Sequence, residues 1–500
     1  SYDSTSNVSL ESRMFAVRGK LTTLLGDMLH DYRPRFLGFS RDKEGMRNVV
    51  REAFGRATND QDAAKYGQAW KYMAEYVRKR MEAAGARIAK LDDWGMPQWH
   101  DPSLVSKVDA TTWTDKTWKY LDIDRMIKET ELSEDQLYNY LRDEVYQSIV
   151  TDGAHKIDLG KISGKPQGRG ILTQLSQHRF MHFDGPEKWM AYQDEFGTSD
   201  YLTAMTDFID KQATNIAAME TLGPNPDIGF QHLVNMIKKN NDKNSASQVQ
   251  KLQQLYDNVM GRVGTANPKW AETMSAIRSF NIPAHLGNAT LSMITDPAFL
   301  AMTARINGLP VMKTIVRGLK ISFQQGVGTA DDLRLASQIG FSADYAMDRL
   351  ISAARFTDSS PAKFMRRLSE MTVRANWMHA LTLANKAAFE LEYAASLARD
   401  VGKEFGELSA ERQAAFARTG ISPGMWDSIR AKPLVEHKGG KYVDINQIGA
   451  GYGKEEATRL FALMHQETQY AVPTPGAEAR AIQNQGQPRG SFLGAVSYTH

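Results

Sequence analysis

The chain has 500 residues, 42% of them hydrophobic and 24% charged, the composition of a folded protein rather than a disordered one. It contains no cysteine, which excludes thiol catalysis, cysteine-ligated zinc, iron–sulfur clusters and disulfides together. The formal net charge is only +3, so any basic surface for a polyanionic partner has to be local.

Helical periodicity dominates from the start. Helices are predicted over 11–30 and 61–83; in the second, Ala63, Tyr66, Trp70, Met73 and Val77 recur every three or four residues as one apolar stripe. The next feature, "GMPQWHDP" at 95–102, sets a histidine beside an aspartate and raises the question of a catalytic or metal-binding pair. Asp101 precedes Pro102, which biases it toward extended backbone. On an extended chain successive side chains point to opposite faces. Pro97, His100, Asp101 and Pro102 are therefore read as a structural turn, with Trp99 or Met96 plugging a core.

After a helix over 133–150 comes "TDGAHKIDLGKISGKPQGRG" (151–170), glycine-rich and basic. It lacks the spacer of a phosphate loop and the Ser/Thr after Lys, and Pro166 removes a backbone N–H such loops need. Lys161, Lys165 and Arg169 remain candidate contacts to phosphate or to an anionic membrane. "HRFMHF" (178–183) suggests one short strand, and 198–222 a helix from a Thr-Ser-Asp cap to "GPNP". Further helices fit 226–240, 247–262 and 268–279. The apolar run 281–304 is broken by Asn, His, Thr, two prolines and Asp296, so it reads as a buried core segment rather than a membrane span.

The clearest patterned surface is "GLPVMKTIVRGLKISFQQG" (308–326). Pro310 suits a helix start, and Lys313, Arg317 and Lys320 then share one face. Val311, Ile315, Leu319 and Phe323 form a separate apolar ridge, with Met312 and Val316 beside it. No acidic residue lies between Asp296 and Asp331, so this basic amphipathic helix is a candidate contact to an anionic membrane or to phosphates. Helices follow over 343–357, 361–400 (opened by Pro361), 408–418 and 454–470. The stretch 433–445 reads as a hairpin with Gly439-Gly440 supplying the positive φ angles of a tight turn. In "HQE" (465–467) the two possible ligands face different ways on a helix, against a metal site. HExxH, HxH and GxSxG patterns do not occur, so no catalytic, metal or cofactor-binding residue is assigned.

The fold class expected is mainly α: an extended multi-helix assembly with one small β-hairpin near 433–445. Four regions are expected: an N-terminal helical region (1–150), a glycine-rich connector (151–197), a central helical domain (198–418) and a C-terminal hairpin, helix and extended tail (419–500). Both ends read as cuts inside a longer polypeptide: the start has no initiator Met or basic-then-apolar leader, and "GSFLGAVSYTH" stops as an apolar stretch begins.

Several stretches in order carry a family resemblance: "GMPQWHD" (95–101), "HRFMHFDGPEKWMAYQDEFG" (178–197), "AMETLGPNPD" (218–227), "NATLSMITDPAFLAMTARINGLP" (288–310), "RTGISPGMWDSIR" (418–430) and "ETQYAVPTPGAEARA" (467–481). From about residue 40 to 490 the chain resembles the large polyvalent, internal-virion-type proteins of tailed phages and prophages. The resemblance implies a mostly helical, non-enzymatic segment of a much larger protein, packaged in the capsid and delivered with the genome into the host envelope. Some members carry a peptidoglycan-cleaving transglycosylase domain elsewhere; "GAGYGK" (449–454) is only superficially similar to one of its motifs. The tail "SFLGAVSYTH" departs from the family pattern. The partners implied are further copies of the chain or other virion proteins, with an anionic membrane surface or double-stranded DNA as candidate contacts. Two alternatives stay open. One is an enzyme acting on peptidoglycan or nucleic acid through carboxylates brought together only by the fold. The other is a DNA-binding packaging factor using 308–326 and 156–169, whose affinity would fall steeply with salt.

Overall fold

Short polar residues at loop ends mark where many of the helices begin, because each can accept a hydrogen bond from an otherwise unpaired first-turn N–H. The computed structural model describes residues 9–26, 28, 43–86, 88, 96–151, 181–197, 200–239, 245–260, 296–311, 313, 314, 316, 317, 335, 378–448 and 455–472. Ser9 caps α1 (Leu10–Leu24); α2 (Lys43–Ala53) follows, and Asp60 caps α3 (Gln61–Ala83). Asp101, Asp109 and Asp122 cap α4 (Pro102–Val105), α5 (Ala110–Trp118) and α6 (Ile123–Thr130). A reciprocal Ser133–Gln136 box opens α7 (Glu134–Tyr140), which continues through a π-helical turn (Leu141–Val145) into α8 (Tyr146–Val150). Next come α9 (Pro186–Phe196), α10 (Tyr201–Leu222), α11 (Pro226–Lys239), α12 (Ser245–Val259), α13 (Asp296–Ile306) and α14 (Met378–Asp400). Ser409 and Ser422 cap α15 (Ala410–Arg418) and α16 (Pro423–Arg430). Strands β1 (Leu434–His437) and β2 (Gly440–Val443) precede α17 (Ile445–Ile448) and α18 (Glu455–Ala471).

The protein is thus mainly helical with one antiparallel hairpin among the described residues. Helices expected over 268–279 and 343–357, and residues 361–377 of the long one, lie outside the described residues. Of "HRFMHF", only 181–183 are described, and there Phe183 makes a single bridge to Leu121 instead of a strand. The hairpin turn differs from the expectation. His437 pairs with Gly440, so the two turn residues are Lys438 (φ +48°) and Gly439 (φ +76°), and Gly440 is already the first residue of β2. A two-residue turn matched to strand twist needs positive φ at both positions, and here the register makes a lysine adopt one of them. No described helix is long and apolar enough to cross a membrane.

The chain divides into two compact units. One comprises Asp31–Gln231 and Arg349–Asp358. In it the α3 stripe of Ala63, Tyr66, Trp70, Met73 and Val77 is buried as its spacing predicts, with α2 and α10 packed against the helix. Arg80, almost fully buried, crosses from α3 to α10: its Nε donates to Glu220 Oε1 at 2.8 Å and its Nη1 to Tyr76 Oη at 3.1 Å. A second core gathers Val105, Trp113, Leu121, Met126, Leu137, Leu141, Tyr192 and Phe196 from α4 to α9.

The other unit comprises Ser1–His30, His232–Asp348 and Ser359–His500. Its hub is α18, which packs against α1, α13, α14, α16 and α17. Contact on so many sides leaves little of α18 exposed, and Thr458, Arg459, Glu467 and Thr468 are buried along with its apolar residues. From Ala384 to Ala398, α14 is buried on every face, again including polar residues: Asn385, Lys386, Glu390, Glu392 and Ser396. A helix covered all round is normally apolar all round. These two are not.

Gly85 ends α3 with φ +97°, and a Cβ there would lie 2.6 Å from Pro224 Cγ. Gly85→Ala should therefore lower stability by about 1–3 kcal/mol. Gly402→Ala, at a position with open space and no positive φ, should leave it unchanged. Paired urea denaturation curves decide this; equal midpoints for the two variants would refute the assignment of strain to Gly85.

Candidate functional site

Residues 96–101 lie in irregular backbone between α3 and α4, so their peptide groups need partners that no helix supplies. They find them on α9. Trp189 Nε1 donates to Pro97 O at 3.1 Å, Gln193 Nε2 to Trp99 O at 3.0 Å, and the Asp101 N–H to Phe196 O at 2.9 Å. The Gln98 amide donates to Met181 O just ahead of α9. The side chains are engaged too. Trp99 Nε1 donates to Asp207 Oδ2 on α10 at 2.8 Å, and Met96 is buried.

His100 and Asp101 serve different partners. The Asp101 carboxylate caps α4 through the Ser103 and Leu104 N–H groups, with Pro102 at the first helical position. His100 Nδ1 shares a 2.8 Å hydrogen bond with the Tyr192 hydroxyl, the two rings meeting edge to face. Burial, and then the charge of Lys211, pull the His100 pKa down to about 4, so the ring is neutral at physiological pH. Burial pushes the Tyr192 phenol well above its usual value, so it keeps its proton. The pair is a neutral hydrogen bond that pins the turn to α9. Nearby, Glu195 at the end of α9 accepts from Lys116 Nζ at 2.7 Å and from Tyr120 Oη at 2.9 Å.

In the other unit two buried glutamates organise the charges. Glu467 on α18 accepts from Arg418 Nη2 at 2.5 Å and from Asn307 Nδ2 at 2.8 Å, joining the ends of α15 and α13. Arg459 of the same helix donates to the Thr419 and Gly420 carbonyls, both at 3.1 Å. Glu392 on α14 is fully buried and takes two cations: Lys313 Nζ at 3.0 Å and Arg317 Nη1 at 2.7 Å. Arg317 also donates to Tyr442 Oη of β2 at 3.1 Å. Two residues of the basic face expected on 308–326 thus converge on the protein's own carboxylate. Arg317 is largely covered there, whereas Lys313 keeps 60% of its side chain exposed. Val311 packs on the core as the ridge predicts, while Val316 faces solvent. Lys320, Lys161, Lys165 and Arg169 lie outside the described residues.

Sequence reasoning missed Glu392 and Glu467. A signal existed for the first, since Glu390 and Glu392 interrupt the apolar run of α14; nothing local marks their partners. Among the described residues no group of three or more His, Asp or Glu is placed to hold a metal. His465 of the "HQE" triplet stacks on Phe15 at 3.9 Å between ring centres, and Glu467 is the paired carboxylate already described. No protein-family model, curated protein or solved structure matches this chain.

Two outcomes follow from these contacts. The unfolded chain protonates His100 near its ordinary pKa of 6.5 and the folded chain only near 4. The histidine's contribution to stability is therefore complete above about pH 6.5 and declines as the pH falls toward 4, by roughly 3 kcal/mol in all. Wild-type denaturation midpoints should drop through that window more steeply than those of His100→Gln; parallel curves would count against a buried neutral ring. At Glu467 the two sides of the pair are unequal, because Arg418 is 47% exposed and Glu467 only 3%. Arg418→Ala strands a buried carboxylate and should cost about 2–4 kcal/mol. Glu467→Gln should cost under about 1.5 kcal/mol, and the double variant should recover most of the Arg418→Ala loss. Melting curves of the three variants give the answer, and additive losses would mean the pair is not coupled.

Proposed function

We propose that this chain is a non-enzymatic structural module of an internal, genome-delivery protein of the tailed-phage type. In this reading it is carried in the particle with other copies of itself or with other virion proteins, and it acts at the host envelope when the genome leaves. The observation that supports it is what the resemblance-bearing motifs do. In one unit "GMPQWHD" and "HRFMHFDGPEKWMAYQDEFG" bond directly to each other through Trp189, Gln193, Tyr192, Gln98 and the Asp101 amide. In the other, three further motifs meet at Glu467, which belongs to one of them and accepts from Asn307 and Arg418 of the other two. Their polar groups are spent on holding helices and turns together, as a shared scaffold requires, rather than turned toward a common cleft for chemistry.

Mass spectrometry of particles purified from cells that carry the gene tests the reading. The chain should be found in particles, resist added protease while they are intact, and become degradable after the genome is triggered to leave. Its absence from particles would overturn the assignment. Turnover of purified cell-wall sacculi by the isolated chain, abolished by a single Asp or Glu substitution, would replace it with an enzyme.

A further inference from the structure

The strongest unassigned surface lies on α13 and the helical residues that follow it. On α13 the inward side is set by Leu300, Thr303 and Ala304, all buried, and the helix packs against α14 and α18. Met302, Arg305 and Ile306 occupy the opposite side by helical spacing. Met302 and Ile306 keep 56% and 55% of their surface exposed. Gly308, with φ +65°, then closes α13: its N–H bonds to Arg305 O at 3.1 Å and the Leu309 N–H to Ala304 O at 2.8 Å. Beyond Pro310, residues 311, 313, 314, 316 and 317 are helical. Thr314 is buried there, whereas Val316 is 56% exposed and Lys313 is exposed beside it. Met302, Ile306 and Val316 are three of the six large exposed hydrophobic residues among the described residues of this unit.

Charge identifies what such a surface fits. From 297 to 317 the charged residues are Arg305, Lys313 and Arg317, with no acid among them. Lys313 and Arg317 both bond to Glu392, and Lys313 keeps 60% of its side chain exposed. Arg305 is exposed and, among the described residues, enters no ion pair. Exposed apolar side chains interleaved with exposed cations match the boundary of an anionic bilayer, where apolar groups enter the acyl region and cations meet the headgroups. DNA phosphates would use the cations and leave Met302, Ile306 and Val316 idle.

We infer that Met302, Arg305, Ile306, Lys313 and Val316 form a docking surface for an anionic lipid bilayer. The surface rests on the buried side of α13 and on the Glu392 clamp, which holds the following residues against α14 while their outer side stays free. It deepens the genome-delivery reading and takes its biological setting from it, but the binding is a property of the purified chain.

The test is flotation with vesicles of phosphatidylglycerol mixed into phosphatidylcholine, and with vesicles of phosphatidylcholine alone. A Met302→Gln/Arg305→Gln/Ile306→Gln variant changes only outward side chains and spares the Glu392 clamp. An Ile228→Gln/Met236→Gln variant removes exposed apolar residues elsewhere, and circular dichroism melting checks that both fold. Wild type and the second variant should float with the anionic vesicles, and the first should bind about tenfold less or weaker still. If the first variant melts early, Val316→Gln with Arg305→Gln replaces it and should show the same loss. Absent binding, equal binding to neutral vesicles, or equal loss in the Ile228/Met236 variant would each overturn the proposal. Binding to duplex DNA without vesicle binding would overturn it in favour of a phosphate contact. None of these outcomes bears on whether the chain is found in particles, so the two readings can fail separately.

Discussion

A carboxylate taken out of water keeps its place only where donors meet it, and one of the two units is arranged around that requirement twice. Glu467 lies in the helix that five others surround, and Glu392 in a helix buried on every face through its centre. Apolar packing alone would let α18 slide or rotate against its neighbours at small cost, since burial is non-directional. A buried charge removes that freedom: Asn307 and Arg418 must arrive at one depth of α18, and Lys313 and Arg317 at one depth of α14. Such pairs contribute little net stability relative to well-packed apolar residues, because desolvation offsets the attraction. Their effect is on which arrangement is reached.

The other unit meets the same kind of demand with neutral groups. The 96–101 segment has no regular structure, and its carbonyls would be left bare if nothing crossed over to them. Trp189 and Gln193 on one side of α9 reach Pro97 and Trp99, and Tyr192 between them takes His100. The consequence is a turn held by one helix side whose spacing of three and one residues matches it. Burial then keeps the histidine uncharged, which a bond to a protonated phenol tolerates and an imidazolium in the same place would not.

These two arrangements bear on function through what they consume. Residue types that carry chemistry elsewhere, such as a His–Asp neighbour pair, buried glutamates and arginines, are here bonded within the scaffold. The basic residues after Pro310 divide their duty. Arg317 turns inward to Glu392 and Tyr442, while Lys313 reaches the same Glu392 and keeps 60% of its side chain exposed. The proposed docking surface and the Glu392 clamp thus meet at Lys313.

The sequence by itself placed α1, α3, α7 with α8, α10, α11, α12, α14, α15 and α18 and the buried face of α3, but not α2, α4, α5, α6, α9, α13 or α16, and the cap it expected ahead of α10 makes no capping hydrogen bond. Those features follow from interactions within four residues, as in the 3.6-residue period at Ala63, Tyr66, Trp70, Met73 and Val77. It also showed that His100 and Asp101 do not work as a dyad, since the proline after Asp101 is a local constraint. It misplaced the hairpin turn by one residue, because composition at Gly439-Gly440 does not say which strand residues pair. The partners of Glu392, Glu467 and His100 were decided only by the tertiary structure. Asn307 and Glu467 stand 160 residues apart, and His100 and Tyr192 stand 92 apart. No local rule relates residues at such separations; only the packing of whole helices brings a donor to a carboxylate that would otherwise be buried alone.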